Sequence, residues 1–99
     1  MLFSNSALPD AVLMAGLRVS PSRDRLLFGL RVREERRRQG LTLEELGERT
    51  SLVWNYIASV ERGERNITMD NASVLAKGLG LPLWTLLQDS SEVYPKDSP

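Results

Sequence analysis

LTLEELGERTSLVWNYIASVERGERNIT, Leu41 to Thr68, carries the clearest helical signals in the chain. Thr42 with Glu45 three residues later is a capping-box pattern, in which the Thr hydroxyl and the Glu carboxylate satisfy each other's backbone N–H groups. It predicts a helix of about two turns from Thr42 to near Thr50, with Leu46 and Gly47 facing inward. A short break at Ser51-Leu52 precedes a second helical segment, roughly Val53 to Arg62. Tyr56, Ile57 and Val60 fall there at helical spacing, and Gly63 ends it. A helix pair that crosses closely needs a small residue where the backbones meet. Gly47 supplies it, at a helix-propensity cost of roughly 0.5 to 1 kcal/mol relative to Ala.

The chain stays helical on both sides of this stretch. Ser20-Pro21-Ser22 has the composition of a helix start, and the segment it opens runs to Gln39 before Gly40, with Leu26, Phe28, Leu30 and Val32 on its apolar side. On the other side Thr68 caps a fourth segment carrying Met69, Ala72, Leu75, Ala76 and Leu79 inward and stopping at Gly80, and Pro82 opens a last short helix, Leu83 to Gln88. No segment alternates as a half-buried strand does, so the expected fold is all-α. Residues 1–22 read as an N-terminal extension, in which LPDAVLMAGLRV (8–19) could form an extra helix given tertiary support. Residues 23–88 read as the folded domain, and 89–99 as a polar, Pro-containing tail.

Composition narrows the chemistry. Ninety-nine residues build one small core. With no Cys and no His, the chain cannot form a disulfide framework, a Cys/His zinc site or a Ser-His or Cys-His nucleophile. No metal or other cofactor is expected. The carboxylates Glu44, Glu45 and Glu48 have the spacing of an exposed helix face rather than a cleft, so an enzyme is not expected either. No apolar run approaches the length of a membrane helix, and the first residues lack the basic start of a secretory signal; a cytoplasmic location is the expectation. The net charge of zero hides a gradient: residues 1–40 carry eight Arg against four acids, whereas 41–50 and 66–99 are each acidic by two. Such asymmetry fits an anionic partner, and it equally fits a solvated helix face.

Two short amphipathic helices joined by a tight turn, the second with a mostly polar outer face, form the layout of a helix-turn-helix. The quoted stretch resembles the helix-turn-helix of the phage-repressor and Cro-like family of bacterial transcriptional regulators, whose pattern runs Leu-Thr-Gln-x-x-Leu-Ala, a turn, then Tyr-Ile-Ser-x-Ile-Glu-Arg-Gly. The likeness continues from FGLRVREERRRQG (Phe28–Gly40) through MDNASVLAKGLGLPLWTLL (Met69–Leu87). It implies a compact five-helix lambda-repressor-like DNA-binding domain. The third helix, roughly 16 Å long at about 1.5 Å per residue, would lie in a major groove about 12 Å wide.

By that resemblance Val53, Trp54, Asn55 and Ser59 read bases, with Asn55 able to pair bidentately with adenine and Val53 to meet a thymine methyl. Trp54 and Leu43 depart from the family, which often has Arg or Gln at the first position and Gln at the second. Thr42, Tyr56, Arg65 and Asn66 are the implied phosphate contacts. Arg36 and Glu61 match an ion pair that ties helix one to helix three, while Arg31, Arg33, Arg37 and Arg38 read as a solvated face. Double-stranded DNA and a second copy of the chain are the implied partners, with Leu83, Trp84 and Leu87 as the dimer surface or, alternatively, as a cap on the domain's own core. Neither a membrane nor a small-molecule ligand is expected. ERGERNITMDN (Glu61–Asn71) further resembles the controller proteins of restriction-modification systems. Antitoxins, small phage repressors and an interaction module without DNA binding share the same helices.

Overall fold

Hydroxyl side chains set three of the four α-helix starts. Ser22 accepts a hydrogen bond from the Arg25 amide (3.0 Å), Thr42 from Glu45 (3.0 Å) and Thr68 from Asn71 (3.1 Å); the Glu45 carboxylate returns the favour to the Thr42 N–H at 2.8 Å. Each such cap stabilises by about 0.5 to 2 kcal/mol. The computed structural model describes residues 21–89. It comprises α1 (Arg23–Arg38), α2 (Leu43–Thr50), α3 (Trp54–Glu61) and α4 (Met69–Gly78), closed by a 3-10 helix at Leu83–Leu87, with no strand among the described residues. The possible helix at 8–19 and nearly all of the tail lie outside that range. α3 is shorter than its expected span because Val53 is its N-cap and Arg62 its C-cap.

Gly40, Gly63 and Gly80 end their helices in the left-handed region, as their positions suggest (φ 72°, 76° and 73°). The stop between α2 and α3 is different. Ser51 takes the same conformation (φ 63°), its N–H bonding the Gly47 carbonyl at 2.7 Å while the Thr50 hydroxyl accepts from the Leu52 N–H at 3.2 Å. No glycine marks this turn in the sequence; Ser51 accepts the cost of the left-handed region because Thr50 and Gly47 hold both sides of it.

The core joins all five elements through Phe28, Val32, Leu46, Ile57, Val60, Leu75, Leu79 and Leu86. Two positions differ from the sequence reading. Leu26 is half exposed on α1, and Met69, the first residue of α4, is 69% exposed because only the next inward turn of that helix reaches the core. In the last segment, the tighter 3-10 winding aligns residues three apart. Leu86 is fully buried and Leu83 packs against the core, while Trp84 and Leu87 point away from it.

Backbones approach most closely where side chains are missing. A Cβ on Gly47 would lie 2.7 Å from the Leu52 carbonyl, which is what the sequence requires of that position. Gly29, not singled out by sequence, sits under a tighter crossing: its Cβ would overlap the Val60 carbonyl and come within 2.8 Å of the Glu61 carbonyl, so α1 and α3 touch backbone to backbone. The same two helices are tied by Arg36, whose Nε and terminal nitrogen donate to the Glu61 carboxylate at 2.7 and 3.0 Å while another N–H donates to the Leu41 carbonyl at 2.9 Å. Both side chains are almost wholly buried, and the bond to Glu61 holds the Arg36 pKa above the ordinary arginine range despite desolvation.

Arg31 corrects an expectation. Rather than lying on a solvated face with Arg33, Arg37 and Arg38, it is 11% exposed, paired with Glu34 and Glu35 and donating at 3.1 Å to the Thr85 carbonyl. It fastens the 3-10 helix to α1. At the far end, Gln39 and Arg49 donate to the Leu79 and Gly78 carbonyls and so satisfy the C-terminal end of α4.

Candidate nucleic-acid interface

The fold turns the first turn of α3 outward. Val53 is 65% and Trp54 50% exposed, and Asn55 beside them is also exposed. Gly47 brings α2 against this end, since its missing Cβ faces the Leu52 carbonyl and the Trp54 amide. Alone among the four α-helices, α3 begins with no side-chain cap and no acidic residue in its first turn. Its leading N–H groups and the positive end of its dipole are therefore open to an anion approaching from solvent.

The remaining site residues divide into two groups. Tyr56, Arg65 and Asn66 lie just beyond this turn. Arg65 carries its guanidinium 5.3 Å from the centre of the Tyr56 ring and donates from Nε to Ser59 Oγ at 3.1 Å. The Tyr56 hydroxyl accepts from Asn71 Nδ2 at 3.1 Å, which leaves its own proton to be donated outward. Neighbouring Arg62 is paired instead with Glu64 (2.9 and 3.0 Å), and that pairing lowers the Glu64 pKa. Thr42 stands at the start of α2, exposed, with its hydroxyl and N–H both engaged with Glu45, so the acidic first turn of α2 already fills the anion position there.

Ser59 differs from the expectation. It is 8% exposed, and its hydroxyl donates to the Tyr56 carbonyl at 2.6 Å while accepting from Arg65, so it has no proton left for a base edge. Leu43 packs against the core, which explains an apolar residue where the resembled family has Gln. Asn71 went unassigned in the sequence; its only signal was its place three residues after the cap Thr68. Of the proposed dimer residues, Trp84 (62%) and Leu87 (49%) are exposed, and Leu83 serves the core.

Fold and site together define a helix-turn-helix protein. The helix-turn-helix family profile matches residues 32–83, a little over half of the chain, and the chain belongs to that family of DNA-binding transcriptional regulators rather than to an enzyme class. It is 40% identical over 58 residues to control protein C.BamHI of Bacillus amyloliquefaciens, covering 58% of this chain and 72% of that protein. It is 37% identical over 68 residues to the HTH-type transcriptional regulator y4dJ of Sinorhizobium fredii, covering 69% of this chain and 88% of that one. Among solved structures it is similar to the restriction-modification controller protein C.AhdI from Aeromonas hydrophila, with a TM-score of 0.63, 37% identity, and coverage of 66% of this chain and 98% of the other. Among the described residues no helix is long and apolar enough to cross a membrane, and no group of side chains has the make-up of a metal site.

Proposed function

We propose that the chain is a sequence-specific, homodimeric regulator that reads a two-half-site operator, acts in the cytoplasm, and controls transcription in the manner of a restriction-modification controller protein. The observation that carries the reading is the uncapped, acid-free first turn of α3, with Val53, Trp54 and Asn55 projecting from it. At eight residues, about 12 Å long, α3 suits a major groove of about that width. Asn55 pairs with adenine through its amide, and Val53 and Trp54 supply apolar contact to thymine methyls or sugars. Tyr56, Arg65 and Asn66 grip phosphates. Thr42 makes the weakest contact, because its helix start is already occupied by Glu45. The controller assignment draws on the named relatives, C.BamHI and C.AhdI.

A reading head this small spans few base pairs, so specificity calls for a second copy bound about one helical turn away. Trp84 and Leu87 form the apolar surface through which the two copies meet. The function is tested by fluorescence anisotropy on mixed-sequence duplexes, with salt raised from about 50 to 200 mM. Arg65→Ala should weaken binding to all sequences alike and lower the salt slope by about one, whereas Trp54→Ala should change which sequences are preferred. Uniform loss from both variants would make Trp54 a packing residue; no salt-sensitive binding at all would turn the chain into an interaction module.

A further inference from the structure

We infer that Ser59 is a positioning residue for DNA binding: its buried hydroxyl fixes the Arg65 guanidinium in the orientation that meets the phosphate backbone. The inference rests on the DNA-binding reading and concerns a residue whose direct contact with DNA the geometry disfavours.

Ser59 has one proton, and it is used on the Tyr56 carbonyl 2.6 Å away, one turn back along α3. What remains on Oγ is lone pairs, and the partner they select is a donor; the Arg65 Nε–H supplies it at 3.1 Å. The Ser59 carbonyl meanwhile accepts from the Glu64 N–H at 3.0 Å, so one residue holds the loop after α3 through both backbone and side chain. The guanidinium plate lies over the Tyr56 ring, and the Tyr56 hydroxyl is in turn held by Asn71 of α4. With Nε bonded to Ser59 and the guanidinium over the Tyr56 ring, the terminal N–H groups of Arg65 make no hydrogen bond among the described residues; the residue is exposed, and its charge acts on the neighbouring Glu64 carboxylate. A long, flexible arginine would otherwise lose most of its rotamer freedom on binding; here much of that loss is met before DNA arrives, which raises affinity without a new contact.

The experiment uses the full chain and a fluorescein-labelled mixed-sequence duplex of about two helical turns, at low salt. Affinities are compared for Ser59→Ala in three backgrounds: wild type, Arg65→Ala and Arg65→Lys. Lysine keeps the charge but has no Nε–H at the guanidinium position and no flat plate to stack. The expected result is a loss of about three- to tenfold from Ser59→Ala in the wild-type background and no further loss in either Arg65 variant. In the free protein, the Arg65 Nε–H resonance should be protected from exchange and lose that protection with Ser59→Ala. An equal loss in all three backgrounds, or none in wild type while Arg65→Ala weakens binding, overturns the inference but leaves the DNA-binding reading of Arg65 standing. If Arg65→Ala itself changes neither affinity nor salt slope, that reading fails and the inference falls with it. Urea midpoints of all variants separate a folding defect from a binding one.

Discussion

Replacing Arg36 by Met tests how α1 is held to α3. The two side chains are 11% and 5% exposed, and they meet through two charge-assisted bonds of 2.7 and 3.0 Å. Met fills much of the space of the arginine stem but leaves the Glu61 carboxylate in the interior with no partner. Breaking one side of a buried pair costs about 3 to 5 kcal/mol. A folded unit of this size has roughly 3 to 10 kcal/mol in total, so the loss is a large share of the whole. At an m-value of about 1.5 kcal/mol/M, the urea midpoint followed by circular dichroism should fall by roughly 2 M or more. The double variant Arg36→Met/Glu61→Leu removes both charges and should recover much of that loss, because no uncompensated charge is left. The sign with pH also follows. Arg36 has its pKa raised, so its contribution is fully present below the ordinary arginine range and is lost only above it. The penalty of Arg36→Met should therefore be constant across neutral pH. A loss of no more than about 1 kcal/mol, the size expected of an exposed pair, or a double variant as unstable as the sum of the singles, would refute the reasoning.

Three further outcomes follow from the geometry. Gly29→Ala adds a methyl against the Val60 and Glu61 carbonyls; despite the gain in helix propensity, it should destabilise by about 1 to 2 kcal/mol and lower Tm by roughly 4 to 15 °C, and unchanged thermal unfolding would show that α1 and α3 do not touch there. Glu64 should titrate below its ordinary 4.5 because it is bonded to Arg62; the contribution of the pair is present above that value and fades as pH falls through the lowered midpoint, and Arg62→Ala should bring the NMR midpoint back up. Trp84→Glu should leave circular dichroism unchanged while weakening self-association by about 30-fold or more in sedimentation equilibrium, and an unaltered dimer would move the interface elsewhere.

What the sequence makes legible is what depends on neighbours along the chain. The Thr42–Glu45 capping box, the Thr68 cap and the glycine stops at 40, 63 and 80 all involve residues within one turn, so their pattern fixes their structure. Gly29, Arg31 and Ser59 are the opposite case. The close approach at Gly29 requires knowing that α3 crosses there, and the partner of Arg31 is the Thr85 carbonyl, far along the chain. Ser59 lies at a helical position the resembled family uses for reading bases, yet the chain returns in a loop that carries Arg65 back over Tyr56 and occupies it. The last segment adds a geometric reason. A short apolar run does not reveal whether it winds as α or 3-10, and that difference decides that Leu83 and Leu86 face the core while Trp84 and Leu87 do not. Within the candidate site, the exposed first turn of α3 was legible, and the hydrogen bonds that hold its arginine were not.

On the proposed reading, the first turn of α3, presented twice by a dimer, recognises a defined DNA sequence. Selection of bound duplexes from a random library by purified protein, at near-physiological salt, tests it most directly. A motif of two related half-sites with centres about 10 bp apart should be enriched. A folded, helical protein that enriches no motif would contradict it.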